Sequence, residues 1–211
     1  MLLINQLIGF GATSDAAPAI GTLNPSDKAA DIVLSNGNLT ATNNSFAGAW
    51  ATCRSQTSHS SGQWYWEWTV GQKGSNNGVA GFLNSTAPLN VGLNSFIGCD
   101  VNGVGLVTNG QVVQNFAFTS YLATIVNGDI CPMAIDLTAH LLWVRIGAGN
   151  WNGSGVANPA TGVGGISLPS GLNSGAVFAG ISVVNHDDFS TANFGGSAFS
   201  QAPPSGFSAW G

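Results

Sequence analysis

The chain has 211 residues, enough for one domain with a short extension or for one large sandwich. Only 6% of the residues are charged, and four scattered basic residues face nine acidic ones, so the clustered cations that nucleic acid or an anionic membrane surface requires are missing. Solubility therefore depends on amides and hydroxyls, and such a surface is suited to contact protein or neutral glycans. A glycine- and asparagine-rich β protein with short turns would have the same composition.

Residues 1–12 form an apolar segment that lacks the basic leader and the cleavage site of a standard signal peptide and is too short for a membrane span. Its apolar residues are Leu2, Leu3, Ile4, Leu7, Ile8 and Phe10. Their spacing permits one or two amphipathic turns, but so short a helix is marginal alone. We expect residues 1–18 to be a partner-docking arm with a flexible connection. The arm either docks on its own domain or inserts into a partner or a second copy.

From Leu23 onward, short apolar runs are separated by Asn-Gly and Gly-Asn pairs, which favour tight hairpin turns. The clearest strand is 63–70, where Trp64, Trp66 and Trp68 alternate with smaller or polar residues. Strict alternation with large aromatic residues predicts a strand with one face in the core.

Further strands are predicted at residues 129–137, 141–146, 176–184 and 191–194. The first two of these are joined by a short turn and are expected to form a hairpin. No stretch has a sustained helical period, so helices should be few and short. The pattern therefore predicts an all-β protein, a two-sheet antiparallel sandwich over residues 19–211.

Several segments, in this order, resemble the SPRY family. They are residues 60–70 (SSGQWYWEWTV), 78–82 (GVAGF), 127–144 (from NGDI through AIDL to LWV) and 192–207 (from ANFG through PP to GF). The leader segments 23–28 and 34–39 are similar to those of bacterial and phage members. The resemblance covers residues 20–211 and departs from the family at 145–147 and Gly196, and residues 147–175 are longer and richer in glycine than expected.

The resemblance implies a concanavalin-like bent sandwich, or jelly roll, that is used for binding and has no cofactor and no family-wide catalytic residue. Its core and structural positions in this chain are Trp64, Trp66, Trp68, Glu67, Trp143 and Phe194. Glu67 matches a family position and is interpreted as a structural, hydrogen-bonding carboxylate.

The sequence offers no catalytic set. Glycoside hydrolysis needs two carboxyl groups that flank the bond, but Glu67 is the single glutamate of the chain and has Tyr65 and Thr69 as neighbours on its strand face. The histidines lie in turn-like sequence without a nucleophile signature, and each is expected to be an exposed loop residue. They are His59, His140 and His186.

No metal site is predicted either. The pair at 187–188 and the segment 100–103 resemble calcium-binding turns only faintly, because the remaining ligands are missing. Cys53, Cys99 and Cys131 are odd in number and widely spaced, and match neither a zinc nor a disulfide pattern. We interpret them as reduced, structural thiols, which fits a protein assembled in a cytosol.

The predicted connections contain the candidates for ligand binding, because sandwiches carry their recognition surfaces on loops. These candidates are Asn76, Asn77, Asn90, Asn94, Trp151, Asn152, His186 and Asp187. An aromatic ring with flanking amides suits a sugar or a peptide, which makes Trp151 the best single candidate. The alternative is that Trp151 packs against its own domain.

Our leading hypothesis is a non-enzymatic virion component, assembled in a host cytoplasm: a capsid decoration, fibre or tail-associated protein of a bacteriophage. Its partners would be other virion proteins or copies of itself as a homo-oligomer, together with a host-surface protein or glycan. The competing hypothesis is a glycan- or protein-binding adhesin or adaptor that is not part of a virion. A hydrolase is the third class and lacks its chemistry here.

Overall fold

The computed structural model describes residues 21–74, 78–89 and 92–211. The predicted arm and its connection therefore lie outside the described residues, and so do Asn76, Asn77 and Asn90. Among the residues described, no helix is long and apolar enough to cross a bilayer.

The described residues form fifteen β-strands and four single-turn 3-10 helices. The strands are β1 (Leu23–Lys28), β2 (Ile32–Ser35), β3 (Thr40–Asn43), β4 (Ala51–His59), β5 (Gln63–Gln72), β6 (Val79–Asn84), β7 (Gly103–Val107), β8 (Gln111–Gln114), β9 (Ala117–Ser120), β10 (Ile130–Asp136), β11 (Leu141–Val144), β12 (Ile166–Ser167), β13 (Val177–Val183), β14 (Phe189–Asn193) and β15 (Ser208–Ala209). The 3-10 helices are Gly92–Asn94, Trp151–Gly153, Pro159–Thr161 and Ser170–Leu172.

These strands make two sheets that pack face to face. The first sheet has the order β1-β4-β13-β6-β7-β8-β9, and the second has the order β12-β11-β10-β5-β14-β3-β2, with β15 added to β5. Every pairing is antiparallel except that of β15 with β5, which is parallel. The predicted two-sheet antiparallel sandwich is confirmed.

The predicted strands are also present, with shifted ends. Strand β5 extends the predicted 63–70 to Gln72, and β10 pairs with β11 in the expected hairpin, with Asp136 opposite Leu141. Strand β14 begins at Phe189, two residues before the predicted start, and leaves Phe194 just outside the strand. Phe189 is included because it pairs with Thr42 of β3.

The main core lies between the sheets and contains the predicted tryptophan face of β5. Trp66 and Trp68 are fully buried, with Val70 beside them, whereas Trp64 is half-buried at the edge of the same cluster. The opposite face of β5 is buried as well, since Tyr65 joins a second cluster that contains Trp143 and Phe207. Strand β5 is therefore covered on both faces, and not on one face as its alternation predicted.

The glycine-rich segment 147–175 is ordered by its own local structure. It contains three of the 3-10 helices and the short strand β12, which extends the second sheet beyond β11. Leu168 and Leu172 are buried and join the main core. The segment therefore closes one side of the sandwich.

The three cysteines are free and buried, as expected. Burial raises the pKa of the Cys53 thiol to about 12, although a hydrogen bond to the Asn24 backbone opposes this shift. Burial also raises the pKa values of Cys99 and Cys131. These thiols are therefore neutral, apolar filling of the core.

The sequence predicted that each histidine is an exposed loop residue, and the structure differs from this prediction. All three are half-buried, and His59 is the last residue of strand β4. The imidazole of His59 stacks on Trp64 with 3.4 Å between ring centroids, and its Nε2 lies 2.9 Å from the Trp210 carbonyl oxygen. Packing of the C-terminal segment thus draws His59 into the domain.

Candidate functional site

The sequence-predicted binding residues do not converge on one site. Trp151 and Asn152 lie in a 3-10 helix that packs on the outer face of the second sheet, where Trp151 contacts the cluster around Tyr65 and Trp143. His186 and Asp187 lie in the β13–β14 connection. Asn94 ends another 3-10 helix and is exposed.

Asn152 is held by hydrogen bonds within the domain. Its Oδ1 accepts a hydrogen bond from the Val144 N–H at 2.9 Å, and its Nδ2 donates to the carbonyl oxygens of Leu142 at 3.3 Å and Gly164 at 2.8 Å. The side chain is buried, so a ligand could reach it only by breaking these bonds. The structure thus gives Asn152 a structural role, and ligand binding by this residue stays a prediction.

Trp151 packs against its own domain, which is the alternative that the sequence left open. The Arg145 guanidinium lies over its ring, 4.2 Å from the centroid. A cation at this distance occupies the ring face that a sugar would need. Trp151 is half-buried, so the free area of its ring is small.

Glu67 holds the C-terminal segment onto the second sheet. The carboxylate is buried and accepts four hydrogen bonds: from the Tyr65 hydroxyl at 2.9 Å, from the N–H and hydroxyl of Ser200 at 2.8 Å each, and from the Gln201 N–H at 2.9 Å. Burial, followed by the bond to Glu67, raises the pKa of the Tyr65 hydroxyl. This arrangement is that of a structural carboxylate. Over the part of the chain that the structure describes, no group of three His, Cys, Asp or Glu residues could hold a metal ion.

The β13–β14 connection forms a small exposed platform with the β3–β4 connection. Phe46 is 86% exposed and stacks on His186, with 3.7 Å between ring centroids. His186 Nδ1 lies 3.0 Å from the Asp187 carboxylate. The neighbouring Asp188 is buried and accepts the Gly74 N–H at 2.6 Å, so it ties the β5–β6 connection to this platform.

A larger exposed aromatic surface, which the sequence analysis missed, lies on the outer face of the first sheet. Phe116 is 50% exposed and Phe118 is 44% exposed. Phe96 is buried at the centre of this group, with its ring centroid 5.7 Å from that of Phe116 and 6.3 Å from that of Phe118. We call Phe96, Phe116 and Phe118 the aromatic face.

The chain presents Phe116 in a conformation that bulky residues rarely adopt. Gln114 pairs with Ala117, so Asn115 and Phe116 form a two-residue hairpin turn, with φ values of 49° and 58°. Such a turn favours Asn first and Gly second, and a left-handed phenylalanine costs about 1–2 kcal/mol. Strained residues of this kind cluster at ligand clamps and functional sites.

The turn is held in place by the segment that covers the first sheet. The Asn115 N–H donates to the Asp100 carbonyl at 3.2 Å, and the Phe116 N–H donates to the Gly98 carbonyl at 3.1 Å. These two bonds position Phe116 beside Phe96. The backbone that carries Phe116 is therefore held in place by hydrogen bonds within the domain.

An open groove lies on the opposite side of the same hairpin. It has a volume of about 380 Å³ and runs between the β8–β9 hairpin and residues 167–170. Val101, Ala117, Leu168 and Pro169 give it an apolar lining, and no charged residue lines it among those described. The Oε1 atom of Gln114, which also lines the groove, is buried and has no hydrogen-bond partner among the described residues.

Comparisons with known proteins find relatives by structure only. No protein-family model matches the sequence, and no curated protein matches it. The SPRY domain of human HERC1 superimposes with a TM-score of 0.63 at 11% identity, over 83% of this chain and 99% of that one. The TRIM65 PSpry domain gives a TM-score of 0.59 at 13% identity, over 82% and 88% of the two chains.

Stonustoxin gives a TM-score of 0.57 at 16% identity, over 82% of this chain but only 27% of the toxin chain. The protein is thus a β-sandwich with the SPRY fold, as its motifs predicted. At these identities the likeness establishes the fold alone.

Proposed function

We propose that this protein is a non-enzymatic, protein-binding component of a virus particle: a capsid decoration, fibre or tail-associated protein. Residues 1–12 anchor it in the particle, and the sandwich presents the aromatic face to neighbouring protein. The observation that carries the protein-binding role is Phe116, a half-exposed aromatic residue kept in a left-handed turn. A left-handed backbone favours glycine or asparagine, so a phenylalanine at that position is unusual.

The composition of the aromatic face supports protein as the ligand. Phenylalanine is enriched at the centres of protein interfaces, and charged residues are depleted there. Phe116 and Phe118 form a continuous apolar group with Phe96. Docking of a protein surface on these rings would bury them without breaking an ion pair or desolvating a charge.

The test of the aromatic face uses Phe116→Gly in the full chain. Glycine suits the turn, so the domain should remain folded, while the aromatic contact is lost. We expect a large fall in the number of copies per purified particle, measured by quantitative mass spectrometry. Val156→Ser is the matched control, because Val156 is also an exposed apolar residue but lies in the 147–175 segment. Normal incorporation of folded Phe116→Gly protein would contradict the proposed role of the face.

The test of the anchor is deletion of residues 1–12. We expect the truncated protein to fold, with the melting temperature of the full chain, and to be absent from particles. The apolar residues of the arm would each contribute about 1.5–3 kcal/mol on burial, before ordering costs are subtracted. Incorporation of the truncated protein at normal occupancy would rule out the anchor.

A second candidate function is glycan recognition at the Phe46 platform. An exposed ring stacked on His186, beside the Asp187 carboxylate, offers the flat apolar face and the hydrogen-bonding groups that a sugar requires. A glycan array with the full chain tests it. Binding that is lost in Phe46→Ala and kept in Trp151→Ala would support an adhesin at this platform, and an array without signal would eliminate it.

A further inference from the structure

We infer that the free edge of β9 and the adjoining groove receive residues 2–10 of a second copy of this chain, as an added strand. The inference rests on the proposed anchoring role of the arm and deepens it, because it names what the arm binds. The receiving site is built from β9, Gln114 and the groove wall at residues 167–170.

Strand β9 is an unprotected sheet edge. It is the last strand of the first sheet, and all four of its residues are exposed. It contains neither proline nor a charged residue, which are the usual means of blocking an edge. Because Gln114 and Ala117 close a two-residue turn, the backbone groups of Phe118 and Ser120 point away from β8. They are therefore available to a further strand.

The groove beside this edge matches the chemistry of the arm. Residues 1–12 contain no Asp, Glu, Lys or Arg, and the described residues that line the groove are also uncharged. In an extended strand, every second side chain lies on the same side. Leu2, Ile4, Gln6, Ile8 and Phe10 would share one side of the arm, which makes that side apolar except for a single amide.

The Gln6 amide is matched by one hydrogen-bond acceptor at the groove that has no partner in the described part of the chain. Gln114 Oε1 is buried at the groove without a hydrogen-bond partner among the described residues. A buried acceptor without a partner is costly, so a donor is expected there in the assembled state. The Gln6 side chain, at the middle of the apolar side of the arm, can supply this donor if the half-buried Gln114 side chain turns its amide toward the groove.

The distance between the arm and the groove favours a second copy over the same copy. The described chain begins at Gly21, next to Gly211 and two residues before β1, and β1 and β9 are opposite edges of the first sheet. Six strand spacings separate these edges, about 29 Å in a straight line. Residues 11–20 span at most about 33–36 Å when fully extended. The extended segment is thus only a few ångströms longer than the straight line between the two edges. A path around the sandwich, whose sheets are about 10 Å apart, is longer than this difference allows.

An arm that binds the next copy makes a head-to-tail contact. The donor surface and the receiver surface differ, so each copy can use both at once, and the contact generates a ring or an open chain of subunits. Phe96 and Phe116 of the aromatic face lie outside this receiving edge, whereas Phe118 belongs to both surfaces.

The test is disulfide trapping between two full-length variants. Gln6→Cys and Gln114→Cys proteins are purified separately, mixed and oxidised, and the products are separated on a non-reducing gel and mapped by mass spectrometry. We expect a cross-linked dimer that joins positions 6 and 114 in the mixture alone. The native cysteines are buried, so the wild-type chain should remain uncross-linked. Gln72→Cys, at an exposed position that ends β5, replaces Gln114→Cys as the matched control and should give no dimer.

Each remaining outcome overturns the inference. Absence of the mixed dimer means that the arm does not occupy the groove. A Gln6→Cys, Gln114→Cys double variant that closes within one chain, while the mixture gives no dimer, means that the arm docks on its own domain. Dimers of Gln114→Cys alone mean that two copies meet through their grooves.

This test and the anchor test can fail separately. If deletion of residues 1–12 abolishes incorporation and no mixed dimer forms, the anchor remains and its receiver is another protein. If the mixed dimer forms and deletion leaves incorporation unchanged, the arm joins copies of this chain but does not anchor them in a particle.

Discussion

Strand β5 and the β8–β9 hairpin both carry closely spaced aromatic residues, but the fold treats them in opposite ways. In β5, Trp66 and Trp68 are enclosed between the two sheets, and Tyr65 on the other face is covered by the C-terminal segment. In the hairpin, Phe116 and Phe118 project from the edge of the first sheet and remain about half exposed. Phe96, from the segment before β7, packs beside both rings.

The difference shows that aromatic spacing identifies a strand but not its burial. Strand β5 occupies the middle of its sheet, where both faces are covered by other parts of the chain. Strand β9 is an edge strand. The segment that contains Gly98 and Asp100 is hydrogen-bonded to the turn that precedes β9. A buried aromatic cluster stabilises the domain, whereas an exposed one stabilises only what docks on it.

The largest expected effect comes from the β5 core. Trp66→Ala or Trp68→Ala should lower the free energy of unfolding by about 3–5 kcal/mol, because each removes a fully buried indole from between the sheets. Urea unfolding measures this loss. Trp64→Ala, at a half-buried position of the same strand, should cost clearly less. Equal losses for all three would mean that the two regions are not distinguished by burial.

The second effect concerns the C-terminal segment that packs on one face of β5. Glu67→Gln should lower the free energy of unfolding by about 1–3 kcal/mol, because a neutral amide cannot accept all four hydrogen bonds of the buried carboxylate. Hydrogen exchange at the Ser200 and Gln201 amides should become faster than elsewhere in the domain. Asp187→Asn, at an exposed carboxylate, serves as the control and should change neither quantity.

The third effect is a pH dependence at His59, which packs against Trp210 of the C-terminal segment. Burial lowers the pKa of His59 below its usual value of 6.5, against the hydrogen bond to Trp210, which raises it. As the pH falls, the unfolded chain therefore takes up a proton at His59 before the folded chain does. The stability of the fold with a neutral His59 is complete above pH 6.5 and is lost as the pH falls below that value. Unfolding midpoints measured across this range should decline less steeply in His59→Gln. An identical slope in both proteins would remove His59 as the cause.

The smallest effect belongs to the exposed hairpin. Phe116→Gly relieves about 1–2 kcal/mol of left-handed strain and forfeits about 0.5–1.5 kcal/mol of ring contact with Phe96. The free energy of unfolding should therefore change by no more than about −0.5 to +1.5 kcal/mol. A calorimetric melting curve decides this. A substantial loss of stability would show that Phe116 is part of the core and would sharpen the boundary between the two regions.

Sequence reasoning succeeded where a pattern depends on neighbouring residues. The alternation of Trp64, Trp66 and Trp68 predicted β5, and the short turn before Leu141 predicted the β10–β11 hairpin. It is less informative where contacts outside the strand pattern decide. Asn152 has the composition of a ligand-binding loop, yet three backbone groups from elsewhere in the fold occupy its amide.

The aromatic face was missed for a related reason. Asn115 is typical of the first position of a tight hairpin turn, but Phe116 at the second position argues against such a turn. Phe96 comes close to Phe116 and Phe118 only because its segment folds back over the first sheet. An alternating Phe-Ala-Phe run after an asparagine was the available signal, and it predicts a strand without telling which face stays open.

By itself, the sequence determined the all-β class, five of the strands and the core face of β5, because backbone geometry converts residue spacing directly into sidedness. It also determined a surface poor in charge. Only the tertiary structure decided which strand is an edge, that Glu67 and Asn152 are spent on internal hydrogen bonds, and that a strained phenylalanine stays exposed. Those outcomes depend on contacts outside the strand pattern, such as those of Asn152 with Leu142 and Gly164 and that of Glu67 with Ser200. The spacing of residues along a strand does not encode such contacts.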